Sequence, residues 1–406
     1  MRILYVCADR GIPLDGDKGA SVHVRQTVRA MAGMGMEVTV LAARTGNGWS
    51  VPCRVLERVP VRKRGVEPPA ATRNSDTLAR EIRALAESRD LVDNVPFAAG
   101  DIDLIYERYS LWSLAGAALS ERLQVPLVLE VNAPLPEEQA RYRKLILEKT
   151  AIEIEGLLLR RADIVLCVSS SLEQRATEIR GTDRGVHLFP NSVDTELFRP
   201  SAEDDVAPED GDPTIIFTGT LKPWHGLPLL VEAFARLCES RPRSRLVIVG
   251  EGPERPRLMR QVLEKGVASR VEFTGSVPHD EVPSLLRRAT IAVAPYPPMD
   301  NFYFSPLKLA EYLASGLPVV SSRCGDLSGL LRHRRSALLV PPGDVQALSE
   351  ALTELAGDPE LRARLGSEGR RLATGNLSLE SSSRRLRLLL EMVSGAEAQA
   401  WQRKAL

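Results

Sequence analysis

The sequence predicts two doubly wound α/β domains in series, each a parallel sheet with helices on both faces. Three observations carry that expectation. The chain has 406 residues, beyond the size at which a single hydrophobic core keeps growing. Short apolar runs bounded by Gly, Pro and Asp alternate with longer amphipathic stretches in both halves, as strands buried on two faces and joined by helical crossovers require. Between the halves lies PSAEDDVAPEDGDP, residues 200–213, acidic and proline-rich with no apolar period. It reads as a linker.

In chain order, the first-half strand candidates are ILYVCA, EVTVLAA, DLIYERY, LVLEV, DIVLCVS and VHLFP, with helical patterns over 21–32, 110–123 and 137–161. The 61–100 region is less regular; its basic VRKRG and proline-rich VEPPAATRN read as a surface helix with loops. After the linker the alternation restarts with IIFTGT, LVIVGEG, VEFTG, IAVAPY, LPVVSS and ALLVPP. The domain expectation is therefore 1–199, a linker at 200–213, 214–385, and a C-terminal helix over 386–406 that could pack back on the first domain. Ligands of such sheets bind outside the carboxyl ends of the strands, so two sheets facing each other would place a site in the cleft between them.

Composition narrows the function classes. Fifty-three basic residues balance 53 acidic ones, which argues against a general nucleic-acid binder, since that needs a dominant positive field. Cys7, Cys53, Cys167, Cys238 and Cys324 are dispersed with no CxxC pair, the pattern of reduced thiols in a cytoplasmic protein and not of a disulfide frame or zinc site. The opening MRILYVCADRG is a short apolar run met at once by Asp9 and Arg10, so it reads as a buried strand and not a signal sequence. No run approaches the ~18 apolar residues of a spanning helix; peripheral membrane contact stays open.

The stretch NFYFSPLKLAEYLASGLPVVSSRCG, residues 301–325, holds the most chemistry. A helix starting near Ser305-Pro306 explains Pro in the first turn, Ser as cap and Gly316 as the stop. Its free N–H groups and positive end would attract phosphate. Lys308 and Glu311 lie three apart on one face. One could meet an anion while the other accepts hydrogen bonds from hydroxyls; an ordinary i,i+3 ion pair is the plainer alternative. Elsewhere, Asp15-Gly16-Asp17 spells a DxD, which acidic turn residues explain better than a metal site.

The 301–325 segment resembles the signature of the family-4 retaining glycosyltransferases of GT-B fold, in a sub-branch with an FSPLK-type donor motif. Glu311 matches the second of the family's two glutamates, the one that binds the donor ribose. Tyr303 stands where the first would be, with Asp300 or Asn301 as substitutes. FTGTLKPWHGLPLLVEAF (217–234) is similar to the family's phosphate-gripping turn, with Thr220 and His225 at its two cation positions and Lys222, His225 and Lys308 as replacements. LVIVGEGPERPRL (246–258) supplies Gly250 to a tight turn, and in VEFTGSVPHDEVPSLLRRATIAVAPY (271–296) the backbone of Ser276 and Val277 matches the base-facing section. In the first half, Gly19 matches a glycine that lets backbone approach the donor phosphate, with Lys18 replacing its neighbour. LIYERYSLWSLAG and PLVLEVNAP are similar to acceptor-side strands, with Glu107, Arg108 and Asn132 at or beyond the strand ends. FPNSVDTELFRP (189–200) resembles the motif closing the first domain, Ser192 replacing a glycine.

The resemblance implies a glycosyltransferase that moves a sugar from a nucleotide-sugar donor to a hydroxyl acceptor with retention of configuration. It implies Lys308 and His225 as catalytic groups stabilising charge on the leaving diphosphate, with donor contacts extending to Ser305 and Leu307. No cofactor and no metal is implied beyond the nucleotide sugar as co-substrate. Two other readings fit the same architecture: a non-hydrolysing nucleotide-sugar epimerase, and a non-catalytic sugar-nucleotide-binding partner protein.

Overall fold

A computed structural model describes residues 1–16, 19–46, 49, 51–57, 73–93, 95–200 and 212–394, without the side chains of 73–75. Lys18, Asp17, VRKRG, most of VEPPAATRN, linker residues 201–211 and the stretch 395–406 lie outside the described residues. The chain divides into two compact units. Unit 1 comprises Met1–Pro190, Tyr303–Ser305 and the chain from Ser383 onward; unit 2 comprises Asn191–Phe302 and Pro306–Ser382.

Unit 1 contains β1 (Arg2–Cys7), α1 (Gly19–Gly33), β2 (Glu37–Ala42), β3 (Arg54–Glu57), α2 (Arg73–Asp93), β4 (Leu104–Arg108), α3 (Ala115–Leu123), β5 (Leu127–Val131), α4 (Leu135–Tyr142), α5 (Glu148–Arg161), β6 (Ile164–Cys167), α6 (Ser170–Arg180) and β7 (Val186–Leu188). Its seven strands are all parallel in the order β3-β2-β1-β4-β5-β6-β7. Every residue of β4 and β5 is buried, as continuous apolar runs in a sheet covered on both faces should be. One core layer sets Ile3, Tyr5, Val24, Val28 and Met31 against Leu386 and Leu390 of the last helix. The other joins Leu4, Ile105, Leu119, Leu129 and Leu158.

Unit 2 contains β8 (Thr214–Thr218), α7 (Leu227–Ser240), β9 (Arg245–Val249), α8 (Arg255–Glu264), β10 (Val271–Gly275), α9 (Val282–Arg287), β11 (Ile291–Ala294), α10 (Leu307–Ala314), β12 (Val319–Ser322), α11 (Leu327–Leu330), β13 (Leu338–Val340), α12 (Val345–Gly357) and α13 (Pro359–Leu372). The chain's last described helix, α14 (Leu379–Ser394), begins here and passes into unit 1. Six parallel strands run β10-β9-β8-β11-β12-β13, over a core of Phe217, Leu230, Phe234, Ile248 and Leu352. In both sheets the strand order reverses between the unit's first and fourth strands, at β1/β4 and at β8/β11. Those switch points are where an open α/β sheet offers a crevice.

Three helix expectations change. The pattern over 137–161 resolves into α4 and α5, because Arg143 is extended and Glu81 of α2 takes the amides of Ile146 (2.9 Å) and Leu147 (2.8 Å) before α5 starts. A cap supplied from another helix leaves no local trace. The helix expected from Ser110 starts instead at Ala115, since residues 110–114 fold under the buried Glu107 carboxylate, which accepts from Ser113 Oγ (2.6 Å) and the Gly116 amide (3.1 Å). Ser305 is not the cap of α10: Pro306 takes that position in extended conformation, with no side-chain capping bond. Strand β3, four residues long, is too short to stand out in the sequence. The Gly16 amide donates to the Pro13 carbonyl (3.0 Å) and closes a turn around Asp15; Asp17, the second acid of the DxD, lies outside the described residues.

Candidate functional site

Unit 2 gathers its chemistry around the exit of β8. Thr218 ends the strand, and its amide and hydroxyl both reach the hydroxyl of buried Tyr312, at 2.7 and 3.1 Å, which holds α10 to the sheet. Gly219 follows with φ +129, where a side chain would be strained and its Cβ would meet Lys308 Nζ at 3.0 Å. Gly250, with φ +131, has the Gly219 carbonyl where a Cβ would stand. Two glycines thus let strand ends close up under the lysine.

Lys308 is 8% exposed. Its ammonium lies 4.0 Å from the centre of the Phe217 ring, and among the described residues no hydrogen-bond partner reaches Nζ. Burial drives its pKa down to about 7, only partly offset by the negative charge of Glu311. The plainer alternative of an i,i+3 ion pair does not form. Glu311, 7% exposed, instead accepts at Oε1 from His279 Nε2 at 2.9 Å. His279 comes from the loop after β10, just beyond Ser276, which is exposed, and Val277, which is half-buried; its ring also packs on Phe198 at 5.3 Å.

His225 ends the turn Pro223–His225, between the rings of Phe217 (5.7 Å) and Tyr296 (6.2 Å). Its Nδ1 sits 2.6 Å from the Thr220 carbonyl oxygen. A carbonyl can only accept, so Nδ1 carries the proton and Nε2 is left as an acceptor. Burial, and then the charge of Lys308, push its pKa well below the usual imidazole range. Without a ligand His225 is therefore held in its neutral form. Lys222 is turned onto Trp224, 5.6 Å from the ring centre. Leu307 opens α10 beside Lys308, and Asp300 and Asn301 are exposed in the preceding loop.

Tyr303 and Ser305 group with unit 1 and not with Glu311. The Tyr303 hydroxyl donates to Glu138 at 3.0 Å. Gly19 opens α1 and is exposed. Glu107 and Arg108, adjacent on β4, point to opposite faces and do not pair. Burial raises Glu107 to about 7, against its bonds from Ser113 and Gly116, so its carboxyl is consumed in holding the 110–116 turn. Arg108 pairs with Glu130 at 2.8 Å.

Glu130 is the residue sequence reading passed over. It is 2% exposed, and four side chains converge on it: His23 (2.8 Å), Arg108 (2.8 Å) and Asn132 (2.5 Å) on Oε1, and Tyr106 (2.6 Å) on Oε2. Burial alone would raise its pKa; the charges and hydrogen bonds of His23, Arg108 and Tyr106 outweigh that and hold it far below the usual carboxylate range. An acidic residue inside LVLEV, with an arginine ending the neighbouring strand, was the available signal.

Comparison with known proteins gives this arrangement a context. Residues 199–372 match the family model described as glycosyl transferases group 1, and residues 18–197 match that of glycosyltransferase family 4. The chain is 30% identical over 391 residues to a D-inositol 3-phosphate glycosyltransferase of Jonesia denitrificans, covering 89% of this chain and 88% of that one. The chain belongs to the group 1 glycosyltransferases. This glycosyltransferase is also 25% identical over 396 residues to a glycogen synthase of Mycobacterium tuberculosis, across 94% and 92% of the two chains. Among solved structures it is similar to the sucrose-phosphate synthase of Thermosynechococcus elongatus, with TM-score 0.76, 22% identity and 97% and 99% coverage. It is likewise similar to the Anabaena protein HepE in complex with UDP, with TM-score 0.71, 18% identity and 97% and 100% coverage. The fold is the GT-B class of two Rossmann-like domains. Among the described residues no helix is long and apolar enough to cross a membrane.

Proposed function

We propose that this glycosyltransferase takes its sugar from a nucleotide-sugar donor and transfers it, with retention of configuration and without a metal ion, to a hydroxyl acceptor. The observation that carries the reading is the Lys308 amine: buried, with no hydrogen-bond partner among the described residues, at the switch point of the unit 2 sheet. A buried cation that bonds to no counter-charge is costly unless a ligand completes it; the charge of Glu311 offsets the cost only in part, and a diphosphate would supply the rest. HepE, of like fold, has been solved with UDP and with UDP-glucose, which supports a nucleoside diphosphate as the matching ligand.

On this reading each side chain has a task. Lys308 and the first amides of α10 neutralise the charge that develops on the leaving diphosphate. Glu311 accepts from the ribose hydroxyls, with His279 holding its carboxylate in place. His225 Nε2, unprotonated, accepts from a hydroxyl of the transferred sugar. The acceptor oxygen attacks on the face the nucleotide leaves, and a donor phosphate oxygen takes its proton. The product keeps the anomeric configuration of the donor, and proton NMR of the first-formed product reads it directly; an inverted anomer would end the retaining assignment.

Two outcomes follow for the donor site. Glu311→Ala should raise the donor KM tens-fold with the melting temperature nearly unchanged, a loss of roughly 2 kcal/mol appropriate to hydrogen bonds to a charged group. An unchanged donor KM removes the ribose role. Because Lys308 and backbone amides supply the positive charge, 10 mM EDTA (on the order of the usual chelator excess) should leave the transfer rate within twofold. Loss of activity restored by Mg²⁺ or Mn²⁺ would contradict the metal-free step.

A further inference from the structure

The chain enters unit 2 through residues 191–200, a segment braced at both ends. The Val193 amide donates to the Leu377 carbonyl at 2.8 Å, and the Val193 carbonyl accepts from the Leu379 amide at 2.9 Å. Asp194 Oδ1 then accepts from the amides of Glu196 and Leu197, each at 3.0 Å. At the far end Pro200 packs so closely on Gly316 that a Cβ there would meet it at 3.0 Å.

Between these fixed points Phe198 is fully buried, and two separate routes join it to α10, the helix that carries Glu311. The first runs through backbone. Arg370 Nη1 lies 3.0 Å from the Thr195 carbonyl oxygen, 2.8 Å from that of Phe198 and 2.7 Å from that of Ala314, the last residue of α10. The final carbonyls of a helix have no partner within it, and a cation there also meets the negative end of the helix. One guanidinium thus fixes the distance between Phe198 and the end of α10.

The second route runs through rings. Phe198 packs on His279 with ring centres 5.3 Å apart and planes at 55°, and His279 Nε2 donates to Glu311 Oε1 at 2.9 Å. The His279 backbone is held by the turn into α9, where its carbonyl accepts from the Val282 amide at 3.3 Å. Phe198 then limits the torsions left to the imidazole. Glu311 needs such a restraint. Lys308 stands one turn earlier on the same face, and opposite charges at i,i+3 attract. Their ion pair would take the carboxylate from the ribose and the ammonium from the phosphate. With Oε1 committed to His279, Oε2 is left for hydroxyl donors, and Lys308 stays over the Phe217 ring.

We infer that Phe198 and His279 are positioning residues that give the donor site its selectivity for ribose over 2′-deoxyribose. Phe198 fixes the imidazole, and the imidazole holds Glu311 away from Lys308. The inference rests on the ribose role proposed for Glu311 and names the side chains that enforce it.

Isothermal calorimetry on the full chain with UDP, GDP and ADP, each beside its 2′-deoxy form, tests it. The wild type should bind one ribonucleotide about tenfold or more tighter than its 2′-deoxy form, the scale of a hydrogen bond to a charged group. In Phe198→Leu and His279→Ala the ribonucleotide should weaken about tenfold while the 2′-deoxy form binds as before, so the ratio falls to about two or less. His279→Gln, whose amide can donate from near the position of Nε2, should restore most of the ratio. Lost packing or stability alone weakens both forms alike and leaves their ratio unchanged. An unchanged ratio in Phe198→Leu or His279→Ala would therefore overturn the inference and leave the ribose role standing. A wild type that binds both forms equally, or none of the three nucleotides, would instead remove the ribose role of Glu311 and the inference with it.

Discussion

Replacing Lys308 with methionine should make the free protein more stable and the enzyme nearly inactive. The two effects share one cause. Lys308 is buried with no hydrogen-bond partner among the described residues, and the charge of Glu311 offsets that burial only in part, so the folded state resists its protonation and its pKa stands at about 7 against an ordinary 10.5. The sign follows from proton counting. The unfolded chain holds this proton up to about pH 10 and the folded chain only to about 7, so folding releases it between those limits. The penalty is full below pH 7 and fades as pH rises toward 10. Methionine removes it, worth on the order of a few kcal/mol, and keeps an unbranched side chain of similar length beside Phe217. The melting temperature of Lys308→Met should therefore exceed wild type at pH 6–7, with the gap closing toward pH 10. Its kcat/KM should fall by roughly 100-fold or more, the scale of losing a charge-stabilising contact in the transition state. Lower stability together with lost activity would mean the lysine is structural. The same proton count gives a binding signature: a diphosphate should drive proton uptake by Lys308 above pH 7, visible in calorimetry as a buffer-dependent heat, with affinity falling as pH rises.

The second large effect lies in unit 1. Glu130→Ala should destabilise the protein by ~3–5 kcal/mol, because it leaves Arg108 and His23 buried without their common partner. Glu130→Gln keeps the shape and should cost less, but it should flatten the acid limb of the stability curve. A carboxylate held this far below its usual range contributes stability that is present above about pH 4.5 and lost as pH falls further. Urea titrations of wild type and Glu130→Gln between pH 3 and 7 read this directly. Parallel curves would show that Glu130 contributes no charge-dependent stability.

The sheets were legible in the sequence because β-rich runs such as LVLEV and IAVAPY are continuous, and their burial on both faces demands that composition. Glu311 and Lys308 were legible as a pair on one helix face, but not which partner each would take. His279 sits 32 positions from Glu311, and nothing local announces that contact. Tyr303 illustrates the same limit: it stands three positions from Pro306, yet its hydroxyl is bound 165 positions away at Glu138. The Glu130 network is hidden for a related reason. Its members His23, Tyr106, Arg108 and Asn132 come from α1, β4 and the end of β5, and only the strand order β1-β4-β5 makes them neighbours. Helix starts fared worst where the capping group comes from afar, as Glu81 does for α5. What periodicity encodes is which face is buried; which polar groups meet inside is decided by topology.

The central claim is that the nucleoside diphosphate of the donor binds where Lys308 and Glu311 converge. Thermal shift with UDP, GDP, ADP and dTDP, run on wild type, Lys308→Met and Glu311→Ala, tests it most directly. A ligand at 100 times its Kd adds ~2.7 kcal/mol of stability, and a tenfold weaker one about half of that, so one nucleotide should raise the wild-type melting temperature by several degrees and that of each variant by about half as much or less. The same shift in all three proteins, or none with any nucleotide in the wild type, would contradict the account.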